Sequence, residues 1–214
     1  MRGLPAVVLL AVLLLGGCVE TRFESPLGDD IATCDARLEG LWADPDAPVR
    51  GTSAVYVDHE CRAIVLSQTE PGTPLRRIHV PVNFAKVGRH DYLVIADAEL
   101  GGLADIPPVF GIEPVPQRSF YFVRYRIRGD RLVLARADSE KIAKLIIDGE
   151  LDGTVSRTRN DLHVFVQGDR AKMLDIVRHH DLFRADKDSY LVRRDQDIAA
   201  YERELLDSQA GRTD

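Results

Sequence analysis

The stretch FYFVRYRIRGDRLVLAR, residues 120–136, decides the reading of this chain. Tyr121, Val123, Tyr125 and Ile127 share one parity, the signature of a strand with one face turned to a core. Gly129-Asp130 follows and is a hairpin turn of the primed type, where glycine supplies the positive φ. Leu132 and Leu134 carry the apolar face back along the return strand. On the opposite parity Arg118, Arg124, Arg126 and Arg128 alternate with Phe120 and Phe122.

Working toward the N-terminus, the same period recurs. Ile78, Val80, Val82 and Phe84 alternate with His79, Pro81, Asn83 and Ala85, which predicts a strand. Pro81 makes it an edge strand or marks a bulge, because proline donates nothing to a ladder. Tyr92 to Ala96 reads as a short central strand. Ser53–Asp58 and Arg62–Ser67 read as two strands joined through Asp58-His59-Glu60. Leu38, Leu41 and Trp42 form the first strand-like cluster of the folded part.

Toward the C-terminus the period changes to 3.6. Ile142, Leu145 and Ile146 form a helical stripe that Asp138 or Ser139 can cap and Gly149 can end. Asp169 can cap a second helix carrying Met173, Leu174 and Val177, and Asp197 a third carrying Ile198, Tyr201 and Leu205. Leu162, Val164 and Val166 alternate as a strand between them, and Tyr190 and Val192 as a last one. The expected fold is α+β and mainly antiparallel β: a sheet or partly open β-barrel decorated by two or three helices.

The N-terminus is of another character. Arg2 is the only charge before Glu20, and Ala6–Leu15 is an apolar run ending in Gly16-Gly17. That is the pattern of a secretory signal peptide, and it is too short to cross a bilayer's ~30 Å hydrocarbon core. Leu15-Gly16-Gly17-Cys18 resembles the lipobox of bacterial lipoproteins. The resemblance implies cleavage before Cys18, a diacylglyceryl thioether on its sulfur and acylation of the new amino group. Several acyl chains anchor stably where one does not. Val19 after the cysteine, rather than the aspartate of inner-membrane retention, implies the periplasmic side of the outer membrane if the host is Gram-negative. The expected organisation is signal peptide at 1–17, lipidated Cys18 and flexible tether to residue 33, a β-rich domain at 34–195, and a C-terminal helix and tail at 196–214.

Two further likenesses concern the domain. Gly40-Leu41-Trp42 resembles the G-x-W of lipocalin-like and other calycin barrels. That implies a barrel-end plug at Trp42 beneath an arginine from a late strand, Arg193 or Arg194. Residues 38–194 also resemble a group of uncharacterised bacterial envelope lipoproteins through Leu38-Glu39-Gly40-Leu41-Trp42, the hairpin at Gly129-Asp130, the helix ending in Gly149, and Gly153-Thr154-Val155. No activity comes with that likeness.

With Cys18 assigned to lipid, Cys34 and Cys61 remain as a pair in an oxidising compartment, where a structural disulfide is expected. A metal site or reactive thiol is the alternative, but His59 beside Cys61 does not complete a ligand set. Catalytic signatures are missing: no G-x-S-x-G, phosphate loop, H-E-x-x-H or C-x-x-C occurs. Asp175 and His179 share a helix face, yet histidines at a helix C-terminus are favoured by the dipole without any metal. Neither a catalytic set nor a cofactor is expected.

The chain has 45% hydrophobic and 29% charged residues and a net charge of −6, which argues against nucleic acid as a partner. Removing positions 1–17, which hold Arg2 and no acid, makes the balance one unit more negative. Two candidate contact regions stand out. Arg124 and Arg126 lie among aromatics, either as a solvated face with packed stems or as a site for an anionic group. The 99–118 stretch holds four prolines, three glycines and the apolar Leu103, Ile106, Val109 and Phe110. Such loops either fold back over the domain or engage a partner or ligand.

The expected function is therefore a non-enzymatic, lipid-anchored envelope protein. Its domain binds a periplasmic protein, as an assembly component or an inhibitor or immunity-type protein. The alternative is a lipocalin-like carrier of a small apolar ligand or lipid, which needs a cavity of ~300 Å³ or more. Replacing Cys18 by Ala is expected to abolish incorporation of labelled palmitate and to move the protein from membranes to the soluble fraction. Label entering that variant would refute the lipid assignment.

Overall fold

A computed structural model describes residues 19–28, 34–45, 53–68, 72–100, 119–159, 161–184 and 190–211. Cys18 and the apolar residues Leu103, Ile106, Val109 and Phe110 lie outside the described residues.

The architecture is an open, mainly antiparallel sheet with helices on its outer faces. Its first meander contains β2 (Gly40–Ala43), β3 (Ser53–Val57), β4 (Ala63–Ser67) and β5 (Arg76–Val80). Its second contains β6 (Asn83–Val87), β7 (His90–Ala96), β8 (Phe120–Arg128) and β9 (Arg131–Ala137). The strand β13 (Tyr190–Arg194) pairs with both β9 and β2 and joins the meanders into a ring. The ring stays open between β5 and β6. There the chain breaks the expected single strand in two: Pro81 has no N–H to donate, and Pro81-Val82 leaves the ladder.

A wing extends from β8. In it β1 (Val19–Phe23) runs parallel to β11 (Leu162–Val166), and β10 (Gly153–Arg157) pairs antiparallel on the far side of β11. Phe23 opposite Phe120 connects the wing to β8. This corrects the expected tether: residues 19–23 are a strand with five register pairs to β11, and Phe23 is fully buried. The polar composition of 18–33 hid the alternation Val19, Thr21, Phe23 against Glu20, Arg22.

The helices are α1 (Asp97–Leu100), α2 (Ser139–Ile147), α3 (Arg170–His179) and α4 (Ile198–Ala210). Asp138, Asp169 and Asp197 cap the last three, each accepting a backbone N–H of the first turn, from Lys141, Lys172 and Ala200. Ser139 instead accepts the hydroxyl proton of Thr21 at 2.8 Å, tying α2 to β1. α2 and α3 cover one core around Phe23, Phe122, Val164, Val166, Ile142 and Met173, with Phe23 and Phe122 stacked at 4.1 Å. A second core of Trp42, Val57, Phe84, Leu132 and Leu191 fills the ring. α4 lays Tyr201 and Leu205 on the outer face of β2–β4.

The hairpin turn forms as read: Arg128 opposes Arg131 and Gly129 has φ +60°. The face carrying the arginines differs from expectation. Phe120 and Phe122 on that parity are buried, so the first half of β8 is covered on both sides and only its second half presents arginines to water.

Cys34 and Cys61 lie at disulfide distance, their Cα atoms 5.3 Å apart across a sequence separation of 27. The bond ties the segment before a 3-10 turn (Ala36–Leu38) to the β3–β4 hairpin. Cys61 has φ +60°, the only described non-glycine residue in that region. It closes a tight loop in which Asp58 accepts the N–H groups of Glu60 and Arg62. Removing the bond as Cys34→Ser with Cys61→Ser should cost roughly 3–4 kcal/mol of stability. With Cys61→Gly in place of serine the loss should be smaller by about 0.5–1 kcal/mol, because glycine takes positive φ without steric cost. Urea melts that place the two variants together would show that residue 61 does not hold this conformation.

Candidate functional site

The ring has one closed end, and Gly40-Leu41-Trp42 builds it. Trp42 is fully buried and its indole N–H donates to the Leu38 carbonyl at 2.7 Å. Arg193 of β13, opposite Trp42 in the register, lays its guanidinium 4.3 Å above the ring. From there it donates to the carbonyls of Arg37, at 2.6 Å, and of Glu39. Gly40, at φ +112°, makes room: a Cβ there would stand 3.2 Å from the guanidinium. Of the two arginines expected over Trp42, the structure brings Arg193. The latch closes an interior lined by aliphatic side chains such as Val55, Val65, Leu93, Val123 and Leu134, with about 70 Å³ of free space.

Outside this closed end lies a larger space. A cleft of about 700 Å³ runs between the 3-10 turn, β6 and α3. Leu27, Phe84 and Leu174 supply its apolar surface. Arg37, Lys86, Arg170 and Arg178 supply cations, all on exposed side chains. Asp35 and Asp91 are its acids, and both are engaged by Arg37, at 2.6 and 2.8 Å. Tyr125 donates its hydroxyl to Asp35 at 2.6 Å. The cleft thus holds four cations and two carboxylates, with Arg37 paired to both acids and Lys86 4.0 Å from Asp91.

Burial works against ionising Asp35, but hydrogen bonds from the Arg37 guanidinium, the Tyr125 hydroxyl and the Arg37 amide outweigh it and hold the carboxyl below its ordinary range. Burial, reinforced by the hydrogen bond to Asp35, pushes the Tyr125 phenol up.

A third group of polar residues sits where the wing meets the ring. Arg22 is 1% exposed. Its Nε–H donates to the Tyr121 hydroxyl at 2.7 Å, and its Nη1 donates to Glu20 at 2.6 Å. Asp97 lies 3.4 Å from Nε and accepts the Ser119 hydroxyl proton at 2.9 Å. His163 Nδ1 is 2.8 Å from Glu20. Burial, with the negative charge of Glu20 beside it, pushes the Tyr121 phenol far up. These groups satisfy one another, so the arrangement locks β1 in place rather than offering a reactive atom. Sequence reasoning missed it; the alternation in residues 19–23 was the signal.

The remaining expected residues are scattered. Arg124 bonds Asp181 at 3.0 Å and the Phe183 carbonyl at 3.4 Å, and its guanidinium lies 5.3 Å from the Phe183 ring. That makes it a clasp between β8 and the chain at Asp181 and at the start of β12 (Phe183–Arg184). Arg126 is exposed two residues on. Asp175 and His179 pair at 3.0 Å on the surface of α3, and no group of three metal-ligating side chains occurs among the described residues. The sequence signal for the cleft was weak, because its walls come from five separate stretches. Compared with protein-family models, curated proteins and solved structures, the chain matches none.

The depressed Asp35 carboxyl sets a pH dependence. A carboxylate whose folded pKa lies below its unfolded one adds stability above the unfolded value and loses it as pH falls through the folded value. Asp35→Asn should therefore destabilise the protein at neutral pH by an amount that shrinks as the pH drops below about 4. A gap between the two proteins' urea midpoints that stays constant into acid would overturn this.

Proposed function

We propose that this is a lipid-anchored envelope protein, held at the membrane through Cys18, whose domain binds an acidic segment of a periplasmic protein in the cleft beside the Trp42–Arg193 latch. It acts by binding, as an assembly component or an inhibitor or immunity-type protein. The carrying observation is the cleft's make-up: about 700 Å³, apolar at Leu27, Phe84 and Leu174, and rimmed by Arg37, Lys86, Arg170 and Arg178. That volume falls within the range of pockets that hold ligands, ~300–1,000 Å³. A surplus of cations in a concave site attracts acidic chains and steers their approach.

The carrier reading has the Trp42–Arg193 latch in its favour and the interior volume against it. About 70 Å³ falls well short of the ~300 Å³ at the lower end of ligand-holding pockets.

The test is a photo-crosslinking amino acid placed in living cells at Ala85 or Leu174, with Ile147 on the far, exposed end of α2 as the control position. A discrete protein adduct is expected from the two cleft positions and not from Ile147. Lys86→Glu combined with Arg178→Glu should reduce its yield several-fold. If the cleft positions give only what Ile147 gives, the partner-binding assignment fails.

A further inference from the structure

We propose that the bilayer surface is itself a binding partner of this domain, docked against the end of the wing formed by Val19, Arg157, Thr158 and Arg159. The proposal rests on the lipid-anchor reading and goes beyond it, because an anchor on a flexible tether would leave the domain free above the membrane. Its starting point is a length. The anchored residue would be Cys18, and the very next residue, Val19, is the first of a strand. Adjacent Cα atoms are about 3.8 Å apart, so no slack separates lipid from fold.

The strand cannot be drawn out to serve as a tether. It pairs with β11 from Val19 opposite Leu162 to Phe23 opposite Val166. Phe23 stacks on Phe122 at 4.1 Å, and Arg22 is held in its buried network by Glu20 and Tyr121. Extracting five residues would gain at most ~17 Å of reach and would break all of these contacts.

The register then fixes what lies beside the lipid. Leu162 is the neighbour of Val19, and Arg157 is the neighbour of Leu162. At about 4.8 Å per strand, Arg157 stands roughly 10 Å from the chain entry, close enough to reach headgroups beside the anchor in the docked pose proposed here. Arg157, Thr158 and Arg159 are exposed, and Val19 is 50% exposed. Guanidinium groups pair with phospholipid phosphates in two-pronged hydrogen bonds, and an aliphatic residue at the entry point completes an interfacial contact.

The experiment uses the full lipidated protein in vesicles of phosphatidylethanolamine and phosphatidylglycerol. Thr158→Cys supplies a thiol for an environment-sensitive fluorophore, and Glu150→Cys supplies one at the opposite end of β10. Quenching by headgroup-labelled lipid is expected to be several-fold stronger at 158 than at 150. A Gly/Ser insert of about twelve residues between Cys18 and Val19, spanning roughly 20 Å as a coil, should bring 158 down to the level of 150. If the protein floats with the vesicles but both labels are quenched alike without the insert, the docking is wrong and the anchor stands. If the protein takes up no palmitate and does not float, the anchor reading fails and takes the docking with it.

Discussion

The buried guanidinium of Arg22 is the constraint on which the layout of this molecule depends. Desolvating such a group costs several kcal/mol, and only good hydrogen bonds and an opposing charge return it. Here Glu20, Tyr121 and Asp97 do so from β1, β8 and α1, and His163 of β11 holds Glu20 in turn. Four elements that are far apart in the chain must meet for one side chain to be satisfied. Loss of one member of such a set leaves another buried and unpaired, typically a cost of ~3–5 kcal/mol. The opposite face of the same strand carries Phe23 into the core under α2 and α3. β1 is thus gripped from both sides.

The ring is held by a different balance. Its closed end is set by Trp42 and Arg193, whose guanidinium both covers the indole and ties down two carbonyls of the preceding segment. Its open seam is set by Pro81. An open seam leaves two strand edges, and exposed edges invite pairing with other chains. Arg76 and Arg77 are exposed on β5 and Lys86 on β6, and charges in those places discourage edge-to-edge association. Those charges weigh against the seam pairing with a second copy.

Where local chemistry decides the backbone, the sequence could be read. Gly129-Asp130 specifies a turn, three aspartates each cap a helix, and the domain's two cysteines lie at disulfide distance. Trp42 and Arg193 were partly legible because a short motif named one partner and a late strand offered two candidates for the other. β1 was not legible, although its alternation is plain in hindsight. Its partner β11 begins 143 positions later, and parallel pairing across such a distance leaves no local mark. Pro81 pointed to an edge or a bulge in one strand, whereas it separates two strands, each at an edge of the sheet. The cleft was barely legible, since its cations and acids come from the 3-10 turn and its cap, β6, β7 and α3, and no spacing links them.

The wing also explains why anchor and cleft belong to one device under the function proposed here. β1 leads within five residues to Leu27 and Gly28, and β11 leads within four residues to Arg170, so both strands feed walls of the cleft. The two exits are stitched together. Ser25 donates its hydroxyl to the Gly168 carbonyl at 2.9 Å, and Glu24 accepts the Gly168 N–H at 2.7 Å. A domain on a loose tether would offer its cleft in every orientation and lose that freedom on binding. A domain whose anchor strand is continuous with the cleft wall has surrendered the freedom beforehand. Ordering costs that are met before binding leave more of the contact energy for affinity. Under the function proposed here, the fixed strand would favour a partner that approaches from one direction along the membrane.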